Sequence, residues 1–185
     1  MILATRNDHK VREFERLMPG AQIEPLPAEA PTPEETGSTY AENALIKARS
    51  AASFTGQPAF ADDSGIESEA LGGRPGVYTA RFAGPDATDT ENLQKLHREA
   101  PAGSRVKYVC VIAYVTPAGE EHLFEGACEG TLATEPSGAG GFGYDPLFVP
   151  VEFPERTMAE LTDDEKDAIS HRGQAARNLL AWLEP

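Results

Sequence analysis

Residues 104–116 read SRVKYVCVIAYVT, and they constrain the fold more than any other stretch. Val106, Tyr108, Cys110, Ile112 and Tyr114 alternate as one face of a strand does, and after Lys107 the intervening positions are apolar as well. A strand apolar on both faces belongs in the middle of a sheet. PAGE then turns the chain into EHLFEGACEG, which reads as the antiparallel neighbour of that strand.

Helical signals flank this pair. MILAT is short and β-like, and in HKVREFERLM the residues Val11, Phe14, Leu17 and Met18 fall at helical spacing, so the chain opens as strand, turn and helix. The Pro-rich run PGAQIEPLPAEAPTPEETG predicts a loop around one short strand. Thr39 and Glu42 form a capping-box pattern ahead of a helix with a buried stripe of Ala41, Ala44, Leu45, Ala48 and Ala52. Asn43 and Lys47, four apart, share another face of it. Thr88 with Glu91 and Thr162 with Glu165 repeat the capping pattern, and HRGQAARNLLAWL predicts a closing helix. QPAFADDSG predicts a short strand that ends at an acid pair, and EPSGAGGFGYDPLFVP a long Gly/Pro loop. The expected fold is a mixed α/β single domain over residues 1–185, without regular strand–helix alternation or a dinucleotide or P-loop fingerprint in its proper context.

The 16 basic and 30 acidic residues leave a formal net charge of −14, a surface that repels nucleic acid and anionic membranes. MILATRND fits neither a signal peptide nor a membrane span, and two cysteines outside any zinc spacing suggest a reduced compartment. A cytoplasmic location is expected.

Candidate chemistry collects at element ends. Thr5, Asn7 and Lys10 occupy the first strand–helix junction, where free N–H groups suit a phosphate; an ordinary helix cap is the plainer alternative. Glu34, Glu35, Asp62 and Asp63 are acids in loops, and Mg²⁺ takes such oxygen ligands. Adjacent Asp62 and Asp63 gain nothing from each other, so a cation has to be near; two exposed turn acids are the alternative. Lys47, Lys166 and Arg172 are possible clamps for phosphate or base, and Phe142 among its glycines could stack on a base. His171 has no recognisable triad partner, and Cys110 reads as core.

Five blocks, LATRNDHK, EETGSTYAENALIKA, ADDSGIESEALGGRPGVYTARFAG, PSGAGGFGYDPLFVP and AELTDDEKDAISHRGQA, occur in an order that closely resembles the inosine/xanthosine triphosphatases, the Ham1-like family. The resemblance runs from Leu3 to about Trp182. It implies an elongated two-lobed α/β fold with a long mixed central sheet flanked by helices and an active-site cleft between the lobes. It further implies a homodimer, Mg²⁺ dependence, and hydrolysis of the deaminated purine nucleotides ITP, dITP and XTP to a monophosphate and pyrophosphate. Carried over by position, Thr5, Asn7, Lys10 and Lys47 become triphosphate contacts, and Glu34 and Asp63 metal ligands. Asp63 also becomes the proton acceptor, and Ser64 a substrate contact. Phe142, Gly143, Tyr144 and Asp145 hold the base, with Lys166, His171 and Arg172 as further substrate contacts. Arg172 would donate to the 6-oxo oxygen, since a 6-amino group there would set donor against donor. Asp167 departs from the family, which often has Asn there. A Maf-like pyrophosphatase, against which the SHR and FGYD blocks argue, and a nucleotide sensor without turnover are the competing readings.

Overall fold

The computed structural model describes residues 1–184. Six strands, β1 (Ile2–Leu3), β2 (Glu24–Pro25), β3 (Ala59–Ser68), β4 (Arg105–Val115), β5 (Glu121–Leu132) and β6 (Phe148–Pro150), form one sheet in the order β2-β1-β3-β4-β5-β6. β1 runs parallel to β2 and β3, whereas β6 is antiparallel to β5, with Phe148 opposite Leu132. Neighbours β4 and β5 are joined only by residues 116–120, too short for a parallel crossover, so they form the expected antiparallel pair. The helices are α1 (Asp8–Leu17), α2 (Tyr40–Thr55), α3 (Asp89–Glu99), α4 (Asp163–Ile169) and α5 (His171–Leu183). Thr39, Thr88 and Thr162 all close the capping boxes that their spacing predicts.

The chain packs as two compact units, one of residues 1–63, 110–126 and the segment from Arg172, the other of residues 64–109 and 127–171. In the first unit the sheet is covered on both faces. Leu3, Phe60, Cys110 and Ile112 pack against Phe14 of α1 and Ala175, Ala176 and Leu179 of α5. Ile2, Ala4, Ala59, Ala61 and Ala113 meet the alanine stripe of α2 (Ala44, Ala48, Ala51 and Ala52) on the other side. Alternate residues of each strand therefore serve opposite layers, as the pleat requires.

In the second unit one face of the sheet carries the core. Ile66, Val106, Tyr108, Cys128, Leu132 and Phe148 pack with Leu93 and Leu96 of α3 and with Met158 and Leu161. The intervening positions carry charge: Lys107 pairs with Glu67 at 3.1 Å, and Arg105 and Glu129 are exposed.

Two expectations are corrected. β3 does not stop at the acid pair but continues to Ser68, so Asp62 and Asp63 are strand residues, buried rather than held in an exposed turn. Asp is a poor strand former; its charge is met here by cations from the covering helices. The end of the Gly/Pro loop, FVP, is strand β6.

Candidate active site

The pleat of β3 separates the two acids. Asp62 continues the face of Phe60 toward α1 and α5, and Asp63 continues the face of Ala59 and Ala61 toward α2. Each meets its own cations.

Asp62 Oδ2 accepts from Lys10 Nζ at 2.9 Å, Arg172 Nη2 at 3.1 Å and Arg172 Nε at 3.3 Å. Arg172 Nη1 in turn donates to Glu13 at 2.5 Å, and the guanidinium is 2% exposed, so it belongs to the interior. Burial by itself raises the Asp62 carboxyl pKa, but Lys10, Arg172 and Lys47 overcome it and hold the group far below the ordinary aspartate range. Burial likewise works against the charged Arg172; Asp62 and Glu13 reverse that and lock its proton in place. The Cys110 thiol, 3.8 Å from Asp62, is pushed up by burial and by that carboxylate, which rules it out as a ready nucleophile.

Asp63 lies in a different setting. Its Oδ1 is 3.4 Å from Lys47 Nζ, and its Oδ2 accepts from Asn43 Nδ2 at 3.2 Å. Lys47 also holds Glu35 at 2.7 Å. Burial raises the Asp63 pKa; Lys47, Lys10 and Asn43 lower it and Glu35 adds to the rise, leaving it above the ordinary value. For Lys47 the balance runs the other way: burial disfavours its charge, but Asp63, Asp62 and Glu35 together raise its pKa. Asn43 Oδ1 accepts from Gly37 N–H at 2.8 Å and so ties the acid-bearing loop to α2. A Cβ at Gly37 would sit 2.6 Å from that oxygen, so only glycine fits this approach. The spacing of Asn43 and Lys47 on α2 is what brings both to Asp63.

The remaining first-unit candidates divide. Asn7 caps α1, accepting from His9 and Lys10 N–H, and Thr5 Oγ1 accepts from Asn7 N–H at 3.2 Å. The capping alternative therefore holds for the Asn7 side chain. Lys10 is not a solvent lysine. Glu34 is exposed, and it is Glu35 that reaches Lys47 beside Asp63.

The second unit holds another carboxylate cluster. Asp145 accepts from Lys166 Nζ at 2.7 Å, Phe142 N–H at 2.9 Å and Tyr108 Oη at 3.1 Å. It is 3% exposed, and its oxygens fold the glycine-rich loop around themselves. Gly141, at φ +66°, has no room for a Cβ, which would strike the Asp145 carboxylate. Lys166 Nζ lies 5.2 Å from the centroid of the half-buried Phe142 ring, and Gly143 N–H donates to Asp89. Tyr144 is buried and donates to the Thr79 carbonyl at 2.7 Å. His171 stacks on Tyr108 at 4.6 Å. Ser64 is half-buried on β3, and Asp167 is half-buried beside Lys166.

The surroundings of two assigned residues are not readable from the motif. Arg172, assigned to the purine, gives its guanidinium to Glu13 and Asp62. Glu34, assigned to the metal, stands outside the Lys47 cluster that Glu35 joins. Sequence reading missed Glu13 and Tyr108. Glu13 lies three residues after Lys10 on the face of α1 that carries Phe14, and an acid at the edge of a buried stripe was the available signal. Nothing in the sequence marked Tyr108 apart from the other inward residues of β4.

A mixed six-stranded sheet packed against helices, with two strand acids on opposite faces and a lysine for each, defines an α/β protein with a charged, partly buried site. Residues 1–182 match the Ham1 family, and the chain belongs to it. The dITP/XTP pyrophosphatase of Symbiobacterium thermophilum is 50% identical over 187 residues, covering 99% of this chain and 94% of that protein. A HAM1 protein from Coxiella burnetii superposes with a TM-score of 0.86 at 44% identity, covering 98% of this chain and 96% of the other. The Ham1 protein of Staphylococcus aureus gives a TM-score of 0.87 at 37% identity, with 99% and 97% covered.

Proposed function

We propose that this chain hydrolyses deaminated purine nucleoside triphosphates, ITP, dITP and XTP, to the monophosphate and pyrophosphate. Membership of the Ham1 family and full-length relatives named dITP/XTP pyrophosphatase support the reaction class. The observation that carries the mechanism is Asp63: a buried carboxylate with a raised pKa, within reach of a lysine, is suited to accept a proton from an attacking water.

Within this reading Lys10 and Lys47 bind the triphosphate, helped by Thr5. Mg²⁺ takes one or two carboxylates together with substrate phosphate oxygens. Asp63 and Glu35 reach the same ammonium, at 3.4 and 2.7 Å, which supports giving the metal to this pair rather than to Glu34. The bound ion would neutralise the triphosphate and make its α-phosphorus a better electrophile. Phe142, Gly143, Tyr144, Lys166 and His171 contact the base, and Ser64 the substrate. Asp145 and Arg172 act by holding Lys166 and Asp62 in position. The enzyme works as a single-domain cytoplasmic protein and pairs as a homodimer.

A substrate panel tests the reading. With Mg²⁺, pyrophosphate should be released from dITP, ITP and XTP far faster than from dATP, dGTP or modified pyrimidine nucleotides. Preference for the modified pyrimidines would give the protein to the Maf-like class, and tight binding without pyrophosphate release would make it a sensor.

A further inference from the structure

Arg6 lies between Thr5 and Asn7, yet no role in the proposed reaction falls to it. Its side chain leaves the β1–α1 junction and reaches the Pro-rich segment after β2. Nη2 donates to the carbonyls of Ala30 at 2.7 Å, Ala28 at 3.1 Å and Pro27 at 3.4 Å, and Nε donates to Thr32 Oγ1 at 3.2 Å. Three carbonyl dipoles converge on one guanidinium, an arrangement that needs a cation at its centre.

The segment has few other supports. Residues 31–37 form no helix or strand, and Pro27, Pro31 and Pro33 have no N–H to offer. Ala30 N–H turns back to Pro27, and Thr36 N–H turns back to Glu34. Beyond these turns, the far end is fixed by Lys47 on Glu35 and by Asn43 on Gly37 N–H. Arg6 is the tether at the near end, through Thr32, three residues before Glu35.

We propose that Arg6 is a positioning residue that couples the Thr5–Lys10 phosphate junction to the acid-bearing loop of Glu34 and Glu35. The inference rests on the phosphate and metal roles proposed above. A guanidinium anchored on four acceptors fixes the loop before any ligand arrives, so the carboxylates are set for the metal–triphosphate without an ordering cost on binding. Lysine can satisfy only part of this set, because its ammonium lacks the planar fork.

The test compares wild type with Arg6→Ala and Arg6→Lys. Arg6 is exposed and outside the apolar clusters, so both variants should fold with the wild-type melting temperature. Amide hydrogen exchange in the ligand-free protein reads the brace directly. Exchange at Thr36 and Gly37, the hydrogen-bonded amides of this stretch, should rise by at least about tenfold in Arg6→Ala, which loses all four bonds, and by less in Arg6→Lys, since one charged hydrogen bond is worth roughly a decade. Steady-state kinetics on dITP should then show about a tenfold lower kcat/KM in Arg6→Ala, with a higher Mg²⁺ concentration for half-maximal rate and partial rescue by lysine. Unchanged exchange would overturn the brace. Faster exchange with unchanged kinetics and Mg²⁺ dependence would overturn the coupling. A kinetic loss with unchanged exchange would make Arg6 a direct phosphate contact instead. Should wild type itself release no pyrophosphate, the proposed reaction fails, while the exchange data still judge the brace.

Discussion

The two units spend their buried carboxylates differently. In the second, Asp145 sits under a sheet covered on one face and gives its oxygens to Lys166, Phe142 N–H and Tyr108. In the first, the sheet is covered on both faces, and consecutive residues of one strand place an acid in each layer. Asp62 resembles Asp145 in its cations, with three donor atoms from two of them converging on Oδ2, but its Oδ1 is buried without a hydrogen-bond partner among the described residues. Asp63 has a longer ion pair and a raised pKa. A carboxylate whose charge is over-compensated by nearby cations is poor at taking a proton, even where, as at Asp62, its buried Oδ1 has no partner among the described residues; one whose charge is under-compensated is a better base. Burial alone therefore does not separate a structural acid from a chemical one. The number and distance of its partners does.

Predictions follow from breaking that contrast. The largest effect should come from Asp63→Asn, which keeps the shape and removes the base: kcat on dITP should fall on the order of a hundred- to ten-thousand-fold with nucleotide binding largely kept. A near-wild-type rate would take Asp63 out of the chemistry. Next comes Asp62→Asn. It leaves Arg172 and Lys10 short of their shared anion, and loss of one partner from a buried pair costs about 3–5 kcal/mol, which denaturant unfolding would read. Arg172→Ala should cost stability in the same way, while changing the ratio of ITP to ATP turnover little. A collapse of that ratio would return Arg172 to the base. Asp145→Asn should raise KM about tenfold with a smaller change in kcat, because Lys166 and the Phe142 loop lose their common anchor. The smallest effect is in pH. Without metal, burial holds the Asp63 carboxyl above the ordinary aspartate value. The stability terms have opposite signs. Asp62 is depressed, so its contribution is present above the unfolded value and is lost as pH falls toward its folded value. Protonation of Asp63 instead favours the folded state as pH falls through its raised value.

Much of this was legible in the chain. Both-faced apolarity in β4, the alanine stripe of α2 and the three capping boxes each state a local rule that the fold obeys. The acid pair was readable only in part. Two adjacent acids require cations, but whether these come from a metal or from side chains depends on which helices cover each face, and that is a long-range fact. DDSG also matches turn chemistry, which hid the continuation of β3. Arg172 shows the same limit: position in a motif identifies the residue, but only packing against Glu13 and Asp62 reveals where its donors point. Glu34 and Glu35 are neighbours of equal chemistry, and no local signal says which of them reaches Lys47; the fold brings Glu35 there.

The most direct measurement sets Asp62→Asn and Asp63→Asn side by side, reading unfolding free energy in urea and pyrophosphate release from dITP in the same preparations. The two residues are neighbours of identical chemistry, so any difference between the variants comes from the layers they face. Asp63→Asn should lose turnover while keeping, or slightly exceeding, wild-type stability. Asp62→Asn should lose stability, with its residual folded protein retaining kcat within about tenfold of wild type. Equal losses of stability and turnover in both variants would contradict the division of one acid for shape and one for chemistry.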